Sequence, residues 1–247
     1  MIDAKRTKTI TLLLPTLNEV DGLTQIFKTI DQSLFDEILI VDGGSTDGTV
    51  EYAIAHHIRI MSQLRKGLEA AVMDAIAILK TDCVIEFSLD GNCEIDQLPE
   101  IVKRLKNGDD LVIVSRYLPP AKSYDDNLIT AFGNFMFTRM MRSLGPFHLT
   151  DSLTMYRGYD IKITRYPEFI KFLYGPVFEP LISAVAMARN LKISEIPGDE
   201  PKRIGGISKM SVPYNGTTIL LMITRMVLFK WFKLDKQLEK ERLLEKL

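Results

Sequence analysis

The stretch DEILIVDGGSTDGT, residues 36–49, decides the fold class of this chain. Its apolar residues 38–41 are typical of a strand buried on both faces of a sheet, and the run ends at the carboxylate of Asp42. Residues 43 and 44 are glycines that allow a sharp turn, and the polar residues 45–47 can cap a following helix. Ligands of open α/β sheets bind at such strand ends. An ordinary strand–turn–helix connection has the same pattern, so a site needs support from the rest of the chain.

The alternation of strand and helix continues on both sides of this stretch. Apolar runs predict strands at residues 9–14, 58–61, 82–88, 111–115 and 191–196, and residues 151–159 alternate loosely like a strand. Apolar residues at helical spacing predict helices at residues 20–31, 49–55, 67–79, 98–105, 128–144 and 177–189. This order predicts βαβ units, and so an α/β fold with a mostly parallel sheet. Right-handed crossovers then bring Pro15, Asp42, Asp90 and Arg116 to one edge of the sheet, where we expect the site.

The composition is typical of a globular chain with a sizeable core. Of 247 residues, 46% are hydrophobic and 26% are charged, and the formal net charge is −1. This balance gives no basic footprint for nucleic acid, so we expect no nucleic-acid partner. Cys83 and Cys93 predict free thiols in a reducing compartment rather than a disulfide framework. The first residues contain no apolar h-region, so we expect no signal peptide.

The C-terminal segment contains an apolar run at residues 219–232, which Arg225 interrupts. As a helix it would be roughly 21 Å long, whereas a bilayer core is about 30 Å thick. We therefore predict an interfacial helix that places Trp231 at the headgroups of a membrane surface. The alternative is a helix that packs on the domain or in a homodimer. The chain divides accordingly into a domain at residues 1–215 and an amphipathic helical tail at residues 216–247.

Seven motifs together resemble a known enzyme family. Four of them are similar to family 2 glycosyltransferases of the GT-A fold: PTLNE (15–19), IVDGGSTDGT (40–49), FSLDGN (87–92) and VSRY (114–117). Three more resemble its polyprenyl-phosphate hexosyltransferase branch, the dolichyl-phosphate mannose synthase-like enzymes: DSLTMYRGY (151–159), FEPLISA (178–184) and EIP…R…GGISKM (195–210). The resemblance implies a Rossmann-like sheet flanked by helices and a nucleotide-diphosphate sugar as donor.

On the donor side, the resemblance implies a set of nucleotide-binding residues. These are Pro15, Thr16, Asn18, Glu19 and Asp42, to which we add Lys66 and Gly67 before the third helix. Asn18 and Glu19 also suit a helix cap and a first-turn carboxylate, and both roles can hold at once.

The resemblance also implies a divalent metal, Mg²⁺ or Mn²⁺, held by acidic residues after the fourth strand. Here that motif consists of Asp90 and Asn92 separated by a glycine. An amide oxygen ligates hard cations but carries no charge, so we expect weaker metal binding, to which Glu94 or Asp96 could contribute. The same three residues are also a common turn sequence.

On the acceptor side, the resemblance implies that Arg116, Arg203, Ser208 and Lys209 bind phosphates. Thr130 would supply a hydroxyl, although the branch's arginine near it is replaced by the acidic residues 125 and 126. Asp90, Arg116, Arg203 and Lys209 form the predicted catalytic set.

The predicted function is inverting transfer of a hexose from a nucleotide-diphosphate sugar to a polyprenyl phosphate. We expect a cytoplasmic protein peripherally attached to the inner face of the membrane. One alternative is transfer to a saccharide acceptor in surface glycan synthesis. Another is a catalytically weak nucleotide-sugar-binding protein, suggested by Asn92 and the missing arginine. The three histidines, two adjacent and one alone, do not have the spacing of a zinc site.

Overall fold

The computed structural model describes residues 6–203 and 211–232. Within them, seven strands form one sheet: β1 (Ile10–Thr16), β2 (Glu37–Asp42), β3 (Arg59–Ser62), β4 (Cys83–Glu86), β5 (Leu111–Ser115), β6 (Arg157–Asp160) and β7 (Ile193–Pro197). Their order across the sheet is β3-β2-β1-β4-β6-β5-β7. The described residues also form eight α-helices: α1 (Val20–Gln25), α2 (Thr49–Ala55), α3 (Leu68–Ile78), α4 (Leu98–Lys106), α5 (Leu128–Met141), α6 (Pro167–Phe172), α7 (Phe178–Ala188) and α8 (Val212–Trp231).

The sheet is mostly parallel, which confirms the predicted fold class. β1 pairs in parallel with β2 and β4, β2 pairs in parallel with β3, and β5 pairs in parallel with β7. β6 is antiparallel to both β4 and β5, with Arg157 opposite Glu86 on one side and Ile113 on the other. The strands on either side of β6 therefore point the same way. As predicted, β1, β2, β4 and β5 end at one edge of the sheet, which we call the carboxyl edge.

Residues 151–159 form a strand only from Arg157 onward, because Asp151 folds the residues just after it into a turn. Its Oδ1 accepts hydrogen bonds from the backbone N–H groups of Leu153 and Thr154, each at 3.2 Å. The chain therefore joins the sheet at Arg157. There it separates β4 from β5, an arrangement that the sequence pattern did not predict.

Helices cover both faces of the sheet. Alternation along β1 directs Leu12 and Leu14 to one face and Leu13 to the other, and all three are fully buried. Burial of each such side chain stabilises the fold by about 1.5–3 kcal/mol. α1, α2 and α4 pack on the first face, whereas α3 and α5 to α8 pack on the second.

Two helices end earlier than predicted. The helix predicted at residues 20–31 ends at Gln25 and continues as two short 3₁₀ turns, the second of which Asp31 caps by accepting the Ser33 N–H at 3.0 Å. The helix predicted at residues 128–144 is regular to Met141 and then tightens into a 3₁₀ turn. A short helix, α6, was not predicted.

α8 begins at Val212, before the predicted boundary at residue 216, and packs one face into the core. The buried residues are Ile219, Met222, Ile223, Met226 and Phe229. In the described part of the chain, α8 is the single helix long and apolar enough to suit a membrane span. It has 20 residues, and an 18-residue window within it has a mean hydropathy of 1.2 and is 28% buried. A single helix of this kind is weak support for a span. Residues 233–247 of the predicted tail lie outside the described residues.

Candidate active site at the carboxyl edge

The loops after β1 and β2 are joined by Asn18, which adopts a left-handed conformation with φ of 59°. Its N–H donates to the Ser45 hydroxyl at 2.8 Å, and its Oδ1 accepts the Thr46 N–H, also at 2.8 Å. The prediction that Asn18 caps α1 is therefore wrong. The side chain is already bonded to the neighbouring loop.

Asp47 caps α1 instead, from across the two loops. Its Oδ2 accepts the Val20 N–H at 3.0 Å, and its Oδ1 accepts the Thr49 N–H at 3.0 Å at the start of α2. Burial favours the neutral acid, but hydrogen bonds from Thr49 and Val20 outweigh it and lower the pKa of Asp47. One carboxylate thus serves two helix starts, where the helix dipoles also favour negative charge.

Asp42 is buried at the end of β2, and its carboxylate stabilises the glycine turn. It accepts the Gly44 N–H at 2.9 Å and the Ser45 N–H at 3.1 Å, while Gly44 takes a φ of +96°. Beside it, Thr16 has a buried hydroxyl with no hydrogen-bond partner, and Pro15 is half-buried in β1. These three residues do lie together, and their contact with a nucleoside stays a prediction.

Lys66 and Gly67 lie in an exposed loop before α3 that Asp74 holds in place. The buried Asp74 carboxylate accepts the Leu64 N–H at 2.9 Å and pairs with the Arg65 guanidinium at 2.6 Å. Burial opposes ionisation, but the bonds from Arg65 outweigh it and lower the pKa of Asp74. The loop is therefore shaped by a residue that the sequence analysis overlooked. An aspartate among the apolar residues of a helix was the available signal.

Glu19 and Asp90 lie within electrostatic reach of each other at the centre of this edge. Burial, followed by the charge of Asp90, raises the pKa of Glu19 to about 7, while Arg203 acts in the opposite direction. The Oε2 atom of Glu19 is buried without a hydrogen-bond partner. α1 approaches this region closely, since a Cβ on Gly22 would lie 2.1 Å from the carbonyl oxygen of Leu89.

The residues around Asp90 fit a divalent cation in their chemistry. Asp90 Oδ2 lies 3.5 Å from Nε of Arg203, a cation beside the carboxylate, and Oδ1 accepts the Asn92 N–H at 3.2 Å. An ionisable oxygen without a partner, on Glu19, and an amide oxygen complete a set of hard donors. Glu94 accepts the Gln97 amide at 3.3 Å through Oε2, and its contribution to a metal site stays a prediction. Across the described ranges, no group of three or more His, Cys, Asp or Glu side chains is arranged to hold a metal.

Arg116 is enclosed by carboxylates. It makes a bidentate pair with Asp151, at 2.7 Å from Nε and 3.1 Å from Nη2, and Nη1 donates to Glu200 at 3.2 Å. Burial disfavours the cation, but Asp151 and Glu200 outweigh it and raise the pKa of Arg116 well above its usual value. Asp126 lies 4.0 Å from the same nitrogen. Binding of an acceptor phosphate by Arg116 stays a prediction, and it would compete with these pairs.

Arg203 connects the two sides of the edge. Its Nε donates to Asp125 at 3.1 Å and faces Asp90 on the other side. Thr130 is engaged differently, because its hydroxyl accepts the Asn127 N–H at 3.1 Å in a capping box that starts α5. The predicted phosphate ligands Ser208 and Lys209 lie outside the described residues.

A second charged cluster is buried below the edge. Arg157 is fully buried and donates to the Ser183 hydroxyl at 2.9 Å, and Tyr159 donates to Glu86 Oε1 at 2.6 Å. Burial, followed by the charge of Glu179, raises the pKa of Glu86 to about 8. Its second oxygen has no hydrogen-bond partner.

A family model described as Glycosyl transferase family 2 matches residues 11–165, more than half of the chain. The chain belongs to glycosyltransferase family 2.

Curated relatives cover only parts of this glycosyltransferase. It is 30% identical over 121 residues to the dolichol-phosphate mannosyltransferase of Pyrococcus furiosus, covering 46% of this chain and 34% of that protein. It is 27% identical over 124 residues to the undecaprenyl-phosphate 4-deoxy-4-formamido-L-arabinose transferase of Salmonella choleraesuis, covering 45% and 38%. An uncharacterised protein of Methanocaldococcus jannaschii is 25% identical over 195 residues, covering 76% and 79%. The match thus spans about a third of the length of the first two.

The fold of this family 2 glycosyltransferase is also found in solved structures. Glucosyl-3-phosphoglycerate synthase from Mycobacterium tuberculosis, crystallised with Mn²⁺, UDP and phosphoglyceric acid, aligns with a TM-score of 0.69. The alignment covers 89% of this chain and 78% of that one, at 20% identity. At this identity it establishes the shared GT-A fold alone, which was predicted from the motifs.

The carboxyl edge of this glycosyltransferase therefore holds most of the predicted site residues that the structure describes. The sequence analysis did not identify Asp47, Asp74, Asp151 and Glu200 as the carboxylates that organise it. Asp47, Asp151 and Glu200 are each distant in sequence from at least one of their partners, so no local pattern gave a signal for them.

Proposed function

We propose that this protein transfers a hexose, with inversion, from a nucleotide-diphosphate sugar to a polyprenyl-phosphate lipid. The observation that carries the proposal is Arg203, which lies between Asp90 on the donor side and Asp125 on the acceptor side. A cation between these two sides is suitably placed to bind diphosphate or phosphate oxygens.

On the donor side, Asp90 and Asn92 would hold Mg²⁺ or Mn²⁺, with the unpartnered oxygen of Glu19 nearby. The metal, when bound, supplies Lewis-acid stabilisation of the diphosphate leaving group. Asn18 and Asp42 fix the loops that would receive the nucleoside, and Lys66 with Gly67 would border it.

On the acceptor side, an oxygen of the lipid phosphate would attack the anomeric carbon while the bond to the donor diphosphate breaks. The nucleoside diphosphate leaves with the electron pair of that bond. A phosphate is ionised at neutral pH, so the step needs little help from a general base. Lys209, Ser208 and Thr130 are the further proposed phosphate contacts, together with Arg116. The names of the Pyrococcus and Salmonella relatives support this acceptor class.

Exposed apolar side chains support attachment to a membrane surface, which we propose to be the inner face. α5 exposes Leu128, Ile129, Phe132 and Phe135, which recur at helical spacing along one stripe. α8 packs against α5 and exposes Leu221, Leu228 and Trp231 opposite its buried face. We propose that the helical tail contacts the membrane through these exposed side chains while its buried face remains packed on the domain. The alternative is that the same side chains form the interface of a homodimer.

One observation favours a saccharide hydroxyl as a second candidate acceptor. Arg116 and Arg203 are both paired with carboxylates of the protein, so a neutral acceptor would leave these pairs intact. A catalytically weak sugar-nucleotide-binding protein is the third possibility.

A matched transfer assay distinguishes these functions. Purified full-length protein would receive UDP-, GDP- or dTDP-hexoses with Mn²⁺ or Mg²⁺, and one of three acceptors: polyprenyl phosphate, the corresponding dephosphorylated polyprenol or a free saccharide. We expect a glycolipid only with the phosphate. Transfer solely to free saccharides would overturn the lipid-phosphate acceptor, and nucleotide binding without any transfer or hydrolysis would favour the binding protein.

A further inference from the structure

Arg203 belongs to a compact unit formed by residues 122–126 and 199–203, which we call the acidic flap. The two segments are joined through their backbones, because the Tyr124 N–H donates to the Glu200 carbonyl and the Glu200 N–H donates to the Lys122 carbonyl, both at 2.9 Å. Lys122 N–H also donates to Asp199 at 2.8 Å. These three hydrogen bonds hold the two segments together.

Within the flap, Asp125 fixes the position of Arg203. The Nε of Arg203 donates to Asp125 Oδ2 at 3.1 Å, a hydrogen-bond distance, and lies 3.5 Å from Asp90 Oδ2. The Arg203 side chain is about a third exposed, so its guanidinium can exchange partners without leaving a buried charge alone. Asp125 has no role in the proposed transfer.

We propose that Asp125 is a positioning residue that sets how strongly Arg203 competes with a divalent cation for Asp90. Without metal, Arg203 serves as the counter-cation of Asp90. A metal held by Asp90 would be repelled by the adjacent guanidinium, and Asp125 would reduce this repulsion by attracting the guanidinium toward the flap. The inference rests on the proposed metal site, but it does not depend on the identity of donor or acceptor.

The two residues then have opposite effects on metal affinity. Arg203→Gln removes the competitor and should tighten Mn²⁺ binding about tenfold. Asp125→Asn leaves Asp90 as the carboxylate partner of Arg203 and should weaken Mn²⁺ binding at least threefold. Damage to folding alone would not tighten binding in one variant and weaken it in the other.

The experiment is calorimetric titration of MnCl₂ into the full-length wild type, both single variants and the double variant, without nucleotide. Arg59→Gln is the matched control, since it removes an arginine paired with Glu37 on a strand far from the flap. If Asp125 acts through Arg203, the double variant should bind Mn²⁺ as tightly as Arg203→Gln.

Three results would overturn the inference: unchanged Mn²⁺ affinity in Arg203→Gln, tighter binding in Asp125→Asn, or an Asp125 effect of equal size in the double variant. A failed transfer assay with this pattern intact would reject the proposed acceptor and leave the coupling standing. Absence of Mn²⁺ binding in every variant would reject the metal site and the inference together.

Discussion

At the residue scale, Asp42 shows how one carboxylate shapes a loop that is also a proposed binding site. Asp42→Ala should abolish binding of UDP and GDP. It should also lower the free energy of unfolding by about 1–3 kcal/mol, because two backbone N–H groups of the glycine turn lose their acceptor. Calorimetric titration and urea unfolding measure the two effects. Asp31→Ala is the control, since that carboxylate caps an exposed turn. Wild-type nucleotide affinity in Asp42→Ala would show that the nucleoside assignment is wrong.

Glu86 gives a prediction about pH. Its pKa is about 8 in the fold against an ordinary value of 4.5, so between these values the folded protein binds more protons at this site than the unfolded chain. Its contribution to stability is therefore fully present below about pH 4.5 and is lost as the pH rises through about 8. Glu86→Gln keeps an acceptor for Tyr159 and should remove this loss, which is roughly 3–4 kcal/mol at pH 8 relative to pH 5.

Urea unfolding of wild type and Glu86→Gln at several pH values tests this. Glu100→Gln is the control, since Glu100 is a surface carboxylate whose pKa is lowered by hydrogen bonds from Arg104 and Lys103. Identical pH slopes in wild type and Glu86→Gln would contradict the prediction.

At the scale of elements, α5 and α8 combine a buried face with exposed apolar side chains. Replacing Phe132 and Leu221 together by serine should reduce sedimentation with anionic liposomes severalfold, because it removes apolar surface that would enter the headgroup region. Ile54→Ser is the control, since Ile54 is similarly exposed on α2, on the opposite face of the sheet. If the wild type never sediments and instead forms dimers on size exclusion, these side chains form a protein interface.

The elements themselves were largely predictable, because periodicity is a local property. α2 and β5 have the predicted boundaries, and β2 and α4 differ by a residue or two. α1 ends at Gln25 and the chain continues into two 3₁₀ turns, the second of which Asp31 caps. Periodicity does not report such hydrogen bonds from side chains. The strand predicted at residues 151–159 was also only partly right, because the Asp151 side chain bonds the backbone that follows it.

At the scale of the whole molecule, metal binding should stabilise the fold by an amount that grows with the logarithm of its affinity. Asn92→Asp adds a charged ligand, so a fixed Mn²⁺ concentration should raise the melting temperature more in this variant than in wild type. Thermal unfolding with Mn²⁺ and with excess EDTA measures the difference, and the Arg59→Gln variant provides the baseline. Equal Mn²⁺ shifts in both proteins, or transfer that persists in EDTA, would contradict the metal assignment.

The sheet edge was predictable at this scale, but the charges around it were not. Crossover handedness placed Asp42, Asp90 and Arg116 on the same side before any coordinates. The pairing of Arg116 with Asp151 and Glu200 joins segments 35 and 84 residues away, which are distances that no local pattern reports. This pairing is why one of the predicted phosphate ligands now has a competing structural role.

The contact between Gly22 and the Leu89 carbonyl has a consequence for protein engineering. Because Gly22 has no side chain, α1 can approach the loop of Asp90 closely. Any added carbon would meet backbone atoms that cannot rotate away. A mutational library restricted to residues lining the cleft would omit this position. Libraries intended to alter donor preference should therefore keep Gly22 fixed and place their diversity in the loops on either side of it.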